Sequence, residues 1–222
     1  MIPSMKLLSN YHIKLLAVTL MTIDHIACIF QLPEIYRIIG RVAFPLFAFL
    51  IYQGFLHTTN LKKYFLRLFL FGVGIELLIL LANLFMPLPK LYVNIFLTLA
   101  WGLLGLILLD TTLHSMVKLS LVLLLAYIAR VLNFDYSWYG VLYIVSFYFL
   151  TYKPVITFII QLAINCLIYT ASPYSIQHFS LLSWLIILLY NGESGGKTKW
   201  KYVFYLYYPL HLAILYLIRM VI

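Results

Sequence analysis

The length of its apolar runs constrains this chain more than any other feature. Nine runs follow one another over 222 residues, at roughly 12–32, 42–59, 65–86, 94–112, 117–133, 138–152, 154–172, 176–190 and 202–221. A helix needs about 20 mostly apolar residues to cross a bilayer, whereas a barrel strand needs only ~10 of alternating character. These runs are long and do not alternate, which excludes a β-barrel. Composition excludes the other classes. The chain is 65% hydrophobic and 9% charged, and a soluble domain carries about 25% charged residues. So few charges cannot cover a soluble globule, and the sequence suits neither a disordered chain nor a disulfide scaffold. The prediction is an all-α, polytopic transmembrane bundle of about nine spans, one integral-membrane domain over 1–222. The sixth and eighth runs are short enough to be tilted or partial spans.

Charge then suggests orientation. The net charge of +9 comes from 15 Lys and Arg against 6 Asp and Glu. In a membrane chain such an excess holds spans by the positive-inside rule, or attracts lipid headgroups or an anionic cofactor, rather than nucleic acid. A cytoplasmic N-terminus puts Lys6, Lys14, Lys62, Lys63, Arg67, Lys118, Lys153, Lys197, Lys199 and Lys201 inside, and Arg37, Arg41, Lys90, Arg130 and Arg219 outside. The first run carries Asp24 and His25 and no small-residue cleavage site, so it reads as a retained helix and not a signal peptide. Cys28 and Cys166 fall in apolar runs and read as packing residues. Cys and His show no metal-ligand spacing, so no metal is expected. The segment 191–199 suits a flexible cytoplasmic connection; it lacks phosphate-loop spacing and a preceding strand.

Ionisable groups inside apolar runs carry the chemical information, because each costs roughly 2.5–3.5 kcal/mol at mid-membrane. Asp24 and His25 lie in the first run. They read as a proton-handling pair or catalytic base, or as a polar clasp between helices. Neighbours in sequence do not face each other on a helix, so Asp24 is expected to bind a basic residue elsewhere, Arg41 or Arg37. Lys14 lies eleven residues before His25, close to three turns, which gives a shared face and a separation of ~16 Å. That span fits a coenzyme A molecule with its phosphates at Lys14 and its thioester near His25. The plainer reading of Lys14 is a cytoplasmic anchor. His211 follows Tyr207, Tyr208 and Pro209 in the last run, where proline bends a helix. His211 and Tyr208 are candidate supports of a site, and a histidine packed on tyrosine is the alternative. His57, Lys62, Lys63 and Arg67 gather at an inner boundary as anchors or as a phosphate site. Glu76 and Asp110 read as partners of basic residues, and Asn94 as a helix cap. Asp135 either caps the sixth helix or lines a mouth for an acceptor.

Taken in order, several blocks resemble the TraX family. They are Leu16 to Ile26 around Ile-Asp-His, Ile39 to Phe49 around Gly-Arg-Val-Ala-Phe-Pro, Gly54 to Thr58, Asn94 to Leu99, Asp135 to Gly140, Leu189 to Gly192, and Phe204 to Leu212 around Tyr-Pro-Leu-His-Leu. The resemblance covers nearly the whole chain. It implies N-terminal acetylation of a pilin in the bacterial inner membrane, and kinship with a wider superfamily of membrane acyltransferases. Members of that superfamily often place a basic residue before a first-helix histidine with ten residues between them. Lys14 and His25 fit, with Lys where Arg is common. The resemblance implies His25 as catalytic base and Lys14 as a coenzyme A phosphate contact. In the third run Glu76 is present, but its neighbours are apolar.

The expected function is therefore a multi-pass inner-membrane acyltransferase. Acyl-CoA, with acetyl-CoA the expected form, binds through Lys14, Lys62, Lys63 and Arg67. His25 and Asp24 form the catalytic centre, and Arg41, His211, Tyr208 and Asp135 support it or the acceptor. The acceptor is a peptide such as a pilin terminus, a lipid or a glycan. The alternative is a small transporter or proton-coupled channel using Asp24, His25 and His211.

Overall fold

Ser9 opens the first helix. Its hydroxyl accepts the His12 N–H, and its own N–H is donated to His12 Nδ1 at 3.2 Å. This reciprocal box satisfies donors that a helix start leaves open. In the computed structural model, which describes residues 7–85, 94–171, 175–195 and 200–221, helix α1 runs Asn10–Ile29. It closes with Gln31 in the left-handed region (φ 54°) and the Leu32 N–H on the Ala27 carbonyl at 3.0 Å. That is a Schellman turn with glutamine where glycine is usual.

Helix α2 (Glu34–Gly40) passes through a turn at Arg41-Val42 into α3 (Ala43–His57). Pro45 explains the break: it has no N–H to give the Arg41 carbonyl one turn back. The chain continues as α4 (Leu61–Phe85), α5 (Ile95–Leu109), α6 (Ser115–Val131), α7 (Ser137–Ser146) and α8 (Pro154–Ala171). A 3-10 segment, Ile176–Leu182, leads into α9 (Ser183–Ile187), and α10 is Trp200–Val221.

Among the described residues, four segments are long and apolar enough to cross a membrane: Asn10–Ile29, Glu34–His57, Leu61–Leu84 and Val203–Val221. Of the other expected spans, Ile95–Leu109, Pro154–Ile168 and Ile176–Ile187 are shorter apolar helices. The second run opens at Glu34 rather than at 42, because α2 and α3, joined by the turn at Arg41-Val42, form one candidate span. The eighth run is a 3-10 segment joined to one short α-helix. Lys6, Lys90, Lys197 and Lys199 lie outside the described residues, as do 196–199 of the basic connection.

The chain divides into two compact units, Met1–Leu50 with Asn165–Ile222, and Ile51–Ile164. In the first, α1 packs on α2 and α10. Glu193 and Ser194 carbonyls accept the N–H groups of Asn10 (2.8 Å) and Tyr11 (3.1 Å) and so cover the start of α1. Helices α1 and α10 run parallel. Lys14 lies over the Phe204 ring, Thr22 meets Tyr207, His25 meets His211, and Arg219 donates to the Ile29 carbonyl. Arg219 is thus a cation at the negative end of the α1 dipole.

In the second unit α5 lies against α4, α6 and α7, with no residue exposed. Gly102 and Gly105 let it approach α7: a Cβ on either would strike Ile144 or Val145. Val122, Leu125, Ala126 and Ala129 of α6 pack with Val141 and Val145 of α7. The outward face of α4 is a stripe of exposed leucines, Leu70, Leu77, Leu78, Leu81 and Leu84, as a lipid-facing helix requires.

Candidate active site

The first unit gathers most of the residues singled out by sequence. Asp24 is 8% exposed and turned toward the α2–α3 turn. Arg37 Nε donates to its Oδ1 at 2.9 Å, and Arg41 Nη2 donates to its Oδ2. Both candidate partners are therefore used, one on each carboxylate oxygen. Arg41 also reaches Gln177 Oε1 at 3.4 Å, linking the clamp to the 3-10 segment. Gly40 makes room for this arrangement, since a Cβ there would fall onto the Asp24 side chain. Two guanidinium groups share one carboxylate, so the cluster carries a net positive charge within the apolar bundle.

His25, one residue on, turns the other way, toward α10. Its Nδ1 lies 2.8 Å from His211 Nε2. The two rings are nearly coplanar (10°) with centroids 5.1 Å apart. With nitrogens so much closer than ring centres, they meet edge to edge. Tyr208 is buried and stands edge-on to both, at 73° to His25 and 70° to His211. Tyr207 stacks on His211 at 5.0 Å, and its hydroxyl is 2.8 Å from Thr22 Oγ1. The Thr22 proton goes to the Val18 carbonyl at 2.8 Å, so Tyr207 donates to Thr22. Lys14 Nζ lies 5.2 Å from the Phe204 ring centre. Phe204 and His211 are two turns apart on α10, so Lys14 and His25 share the α10-facing side of α1, as their spacing predicts.

The remaining candidates belong to the second unit. Lys62 and Lys63 are exposed on the first turn of α4, behind Asn60, whose Oδ1 accepts the Lys63 N–H at 2.8 Å. Arg67 lies 5.3 Å from the Tyr64 ring centre, as a cation–π pair. Asp135 does not cap α7. Tyr136 occupies the cap position in a left-handed conformation, and Asp135 Oδ1 accepts its N–H at 3.0 Å. Asn94 stands at the start of α5 but does not cap it. Its Nδ2 instead crosses to Gly72 O (2.7 Å) and Glu76 Oε2 (2.9 Å). Among the described residues Glu76 meets the Asn94 amide and Asp110 the Tyr148 hydroxyl. Cys28 and Cys166 are free thiols on the exposed surface rather than packed inside.

Sequence reasoning missed Thr22, Tyr207 and Gln177. Thr22 is three residues before His25 and Tyr207 four before His211, so helical spacing alone marks them as face-mates. Gln177 carries no comparable signal.

The family model described as TraX protein matches residues 9–219. The chain belongs to the TraX family. Within that match lie the Asp24 clamp, the His25–His211 pair and the parallel seam of α1 and α10. A relative from Dichelobacter nodosus, described as probable fimbrial assembly protein FimC, serogroup H1, is 29% identical over 231 residues. The alignment covers 93% of this TraX-family chain and 94% of the relative. No solved structure matches the chain.

Proposed function

We propose that this protein is an acyltransferase of the bacterial inner membrane, acting on a pilus component. The carrying observation is the common face of Lys14 and His25 on α1, both turned to α10. Three helical turns separate them by ~16 Å along the axis. Lys14 sits at the end of α1 proposed to face the cytoplasm, where the anionic phosphates of acyl-CoA arrive. The pantetheine arm then runs along the α1–α10 seam and delivers the thioester to His25. The resemblance to pilin acetylation favours acetyl-CoA, and the name of the fimbrial assembly relative points to a pilin amine as acceptor.

His25 takes the proton from the acceptor nitrogen as that nitrogen attacks the thioester carbon. A carbon–nitrogen bond forms and the carbon–sulfur bond breaks. The proton on His25 returns to the departing thiolate, giving an acylated amine and free coenzyme A. The net positive charge of Asp24 with Arg37 and Arg41 favours the oxyanion formed on the way. Asp24 thus supports catalysis by holding both guanidinium groups.

The test uses purified protein in lipid nanodiscs, acetyl-CoA and a synthetic peptide with a free N-terminus copied from a pilin of the same cell. Thiol release and peptide mass report transfer. Wild type is expected to transfer acetyl, and His25→Ala to lose at least ~100-fold in kcat, as expected for loss of a general base. Near-normal turnover in His25→Ala would remove the proposed base. Absence of thermal stabilisation by saturating acetyl-CoA would remove the co-substrate, since a ligand bound only to the folded state must raise apparent stability.

A further inference from the structure

The His25–His211 contact has a direction. His211 Nδ1 lies 2.9 Å from the Tyr207 carbonyl oxygen, four residues back on α10. A carbonyl only accepts, so His211 Nδ1 carries a proton. A neutral imidazole has one N–H and one lone pair, so His211 Nε2 is then an acceptor. His25 Nδ1 faces it at 2.8 Å and nearly in the ring plane, the geometry of a hydrogen bond that His25 donates. The proton of neutral His25 is thereby placed on Nδ1, and its lone pair on Nε2. Nε2 of His25 bonds to none of the described residues. The alternative, a doubly protonated His211, would put a third cation in an apolar bundle that already holds two guanidinium groups against one carboxylate.

We propose that His211 is the positioning residue that sets the tautomer of His25, so that Nε2 is the basic nitrogen presented to substrate. The relay is Tyr207 carbonyl, His211 Nδ1–H, His211 Nε2, His25 Nδ1–H, His25 Nε2. The second nitrogen of a histidine takes its state from the bond that the first one makes. Here another histidine fills the orienting place that a carboxylate fills elsewhere, because the neighbouring carboxylate, Asp24, is held by Arg37 and Arg41. The buried ring of Tyr208, edge-on to both imidazoles, keeps the pair in plane. In the transfer step Nε2 accepts the acceptor's proton, and the positive charge that forms is shared along the His25–His211 hydrogen bond.

The inference rests on the acyltransferase reading for the use made of Nε2, but the tautomer is measurable without turnover. Protein labelled with 15N-histidine is reconstituted in nanodiscs at mildly alkaline pH, and His25 is assigned by the signals lost in His25→Gln. The expected wild-type spectrum gives His25 a protonated Nδ1 and a bare Nε2, and His211 likewise. A His25 protonated on Nε2 and bare on Nδ1, or a doubly protonated His211, overturns the proposal. His211→Leu removes the acceptor and is expected to release His25 into a mixture of tautomers. His211→Gln restores an acceptor oxygen and is expected to recover the Nδ1–H form. In the acetyl-transfer assay, kcat should fall in His211→Leu by up to the ~100-fold that a general base contributes, with KM for acetyl-CoA unchanged and much of the loss recovered in His211→Gln. A wild-type spectrum as expected in a protein that transfers no acetyl would sink the acyltransferase reading and leave the tautomer assignment standing.

Discussion

At the scale of single residues, Asp24 is the most consequential position. One carboxylate holds two guanidinium groups inside an apolar bundle, so removing it takes away the negative charge that both face. Breaking a buried ion pair from one side costs about 3–5 kcal/mol, and Asp24→Asn is expected to fall in that range. Arg37→Gln leaves the Asp24–Arg41 pair in place and is expected to cost less, all the more because Arg37 is 31% exposed and Arg41 only 13%. Thermal unfolding in one detergent ranks the variants, and equal losses in both would contradict a clamp built on Asp24. Gly40→Ala forces a methyl group onto the Asp24 side chain. Overpacking of this kind costs about 1–3 kcal/mol, measurable in the same series. Asp24 and His25 were legible in the sequence because an ionisable group in an apolar run is costly and demands a reason. The two arginines were legible as the nearest cations. Gln177, Thr22 and Tyr207 were not, since a neutral polar side chain in a tyrosine-rich span costs little and so advertises nothing.

At the scale of elements, the site is a property of one seam. Helices α1 and α10 run parallel, so pairs at 14 with 204, 22 with 207, 25 with 211 and 29 with 219 succeed one another in register. The Tyr207–Thr22 bond fixes that register one turn from the histidines. Interhelical hydrogen bonds in membrane proteins are worth about 0.6 kcal/mol, up to ~1.7. A double-mutant cycle of Thr22→Val and Tyr207→Phe is expected to show coupling of that size in thermal unfolding. Zero coupling would mean that the contact does not set the seam. Periodicity located the apolar segments, because the membrane imposes length and hydrophobicity together. It did not show where they break. Pro45 lies in the first turn of α3, yet α2 and α3 form one candidate span across the turn at Arg41-Val42. The eighth run opens as a 3-10 segment, Ile176–Leu182, capped by the Ser175 hydroxyl on the Gln177 N–H. Asn94 sits where a cap belongs, but its amide gains more from two acceptors on α4.

At the scale of the whole molecule, the seam bears on topology. Two parallel helices that both cross a membrane begin on the same side, which requires an even number of crossings between their starts. Nine spans satisfy this parity, though four helices are long enough by themselves. The clamp also sharpens the charge bias. Of the five cations assigned to the outer side, Arg37 and Arg41 are held by Asp24 and Arg219 by the Ile29 carbonyl. These are internal partners rather than loop charges, and the positive-inside rule counts loop charges near span ends. With them set aside, the excess of Lys and Arg on the side of the α1 start becomes stronger. The expectation is testable with single cysteines in a background lacking Cys28 and Cys166. Glu34 lies past the far end of α1, and Glu193 beside its start; both are exposed. A membrane-impermeant maleimide on spheroplasts is expected to label Glu34→Cys directly and Glu193→Cys only after permeabilisation. The reverse pattern would invert the protein and place Lys14 away from cytosolic acyl-CoA. Labelling of both from one side would mean that α1 does not cross, and the path from phosphate to thioester along the seam would lose its membrane geometry.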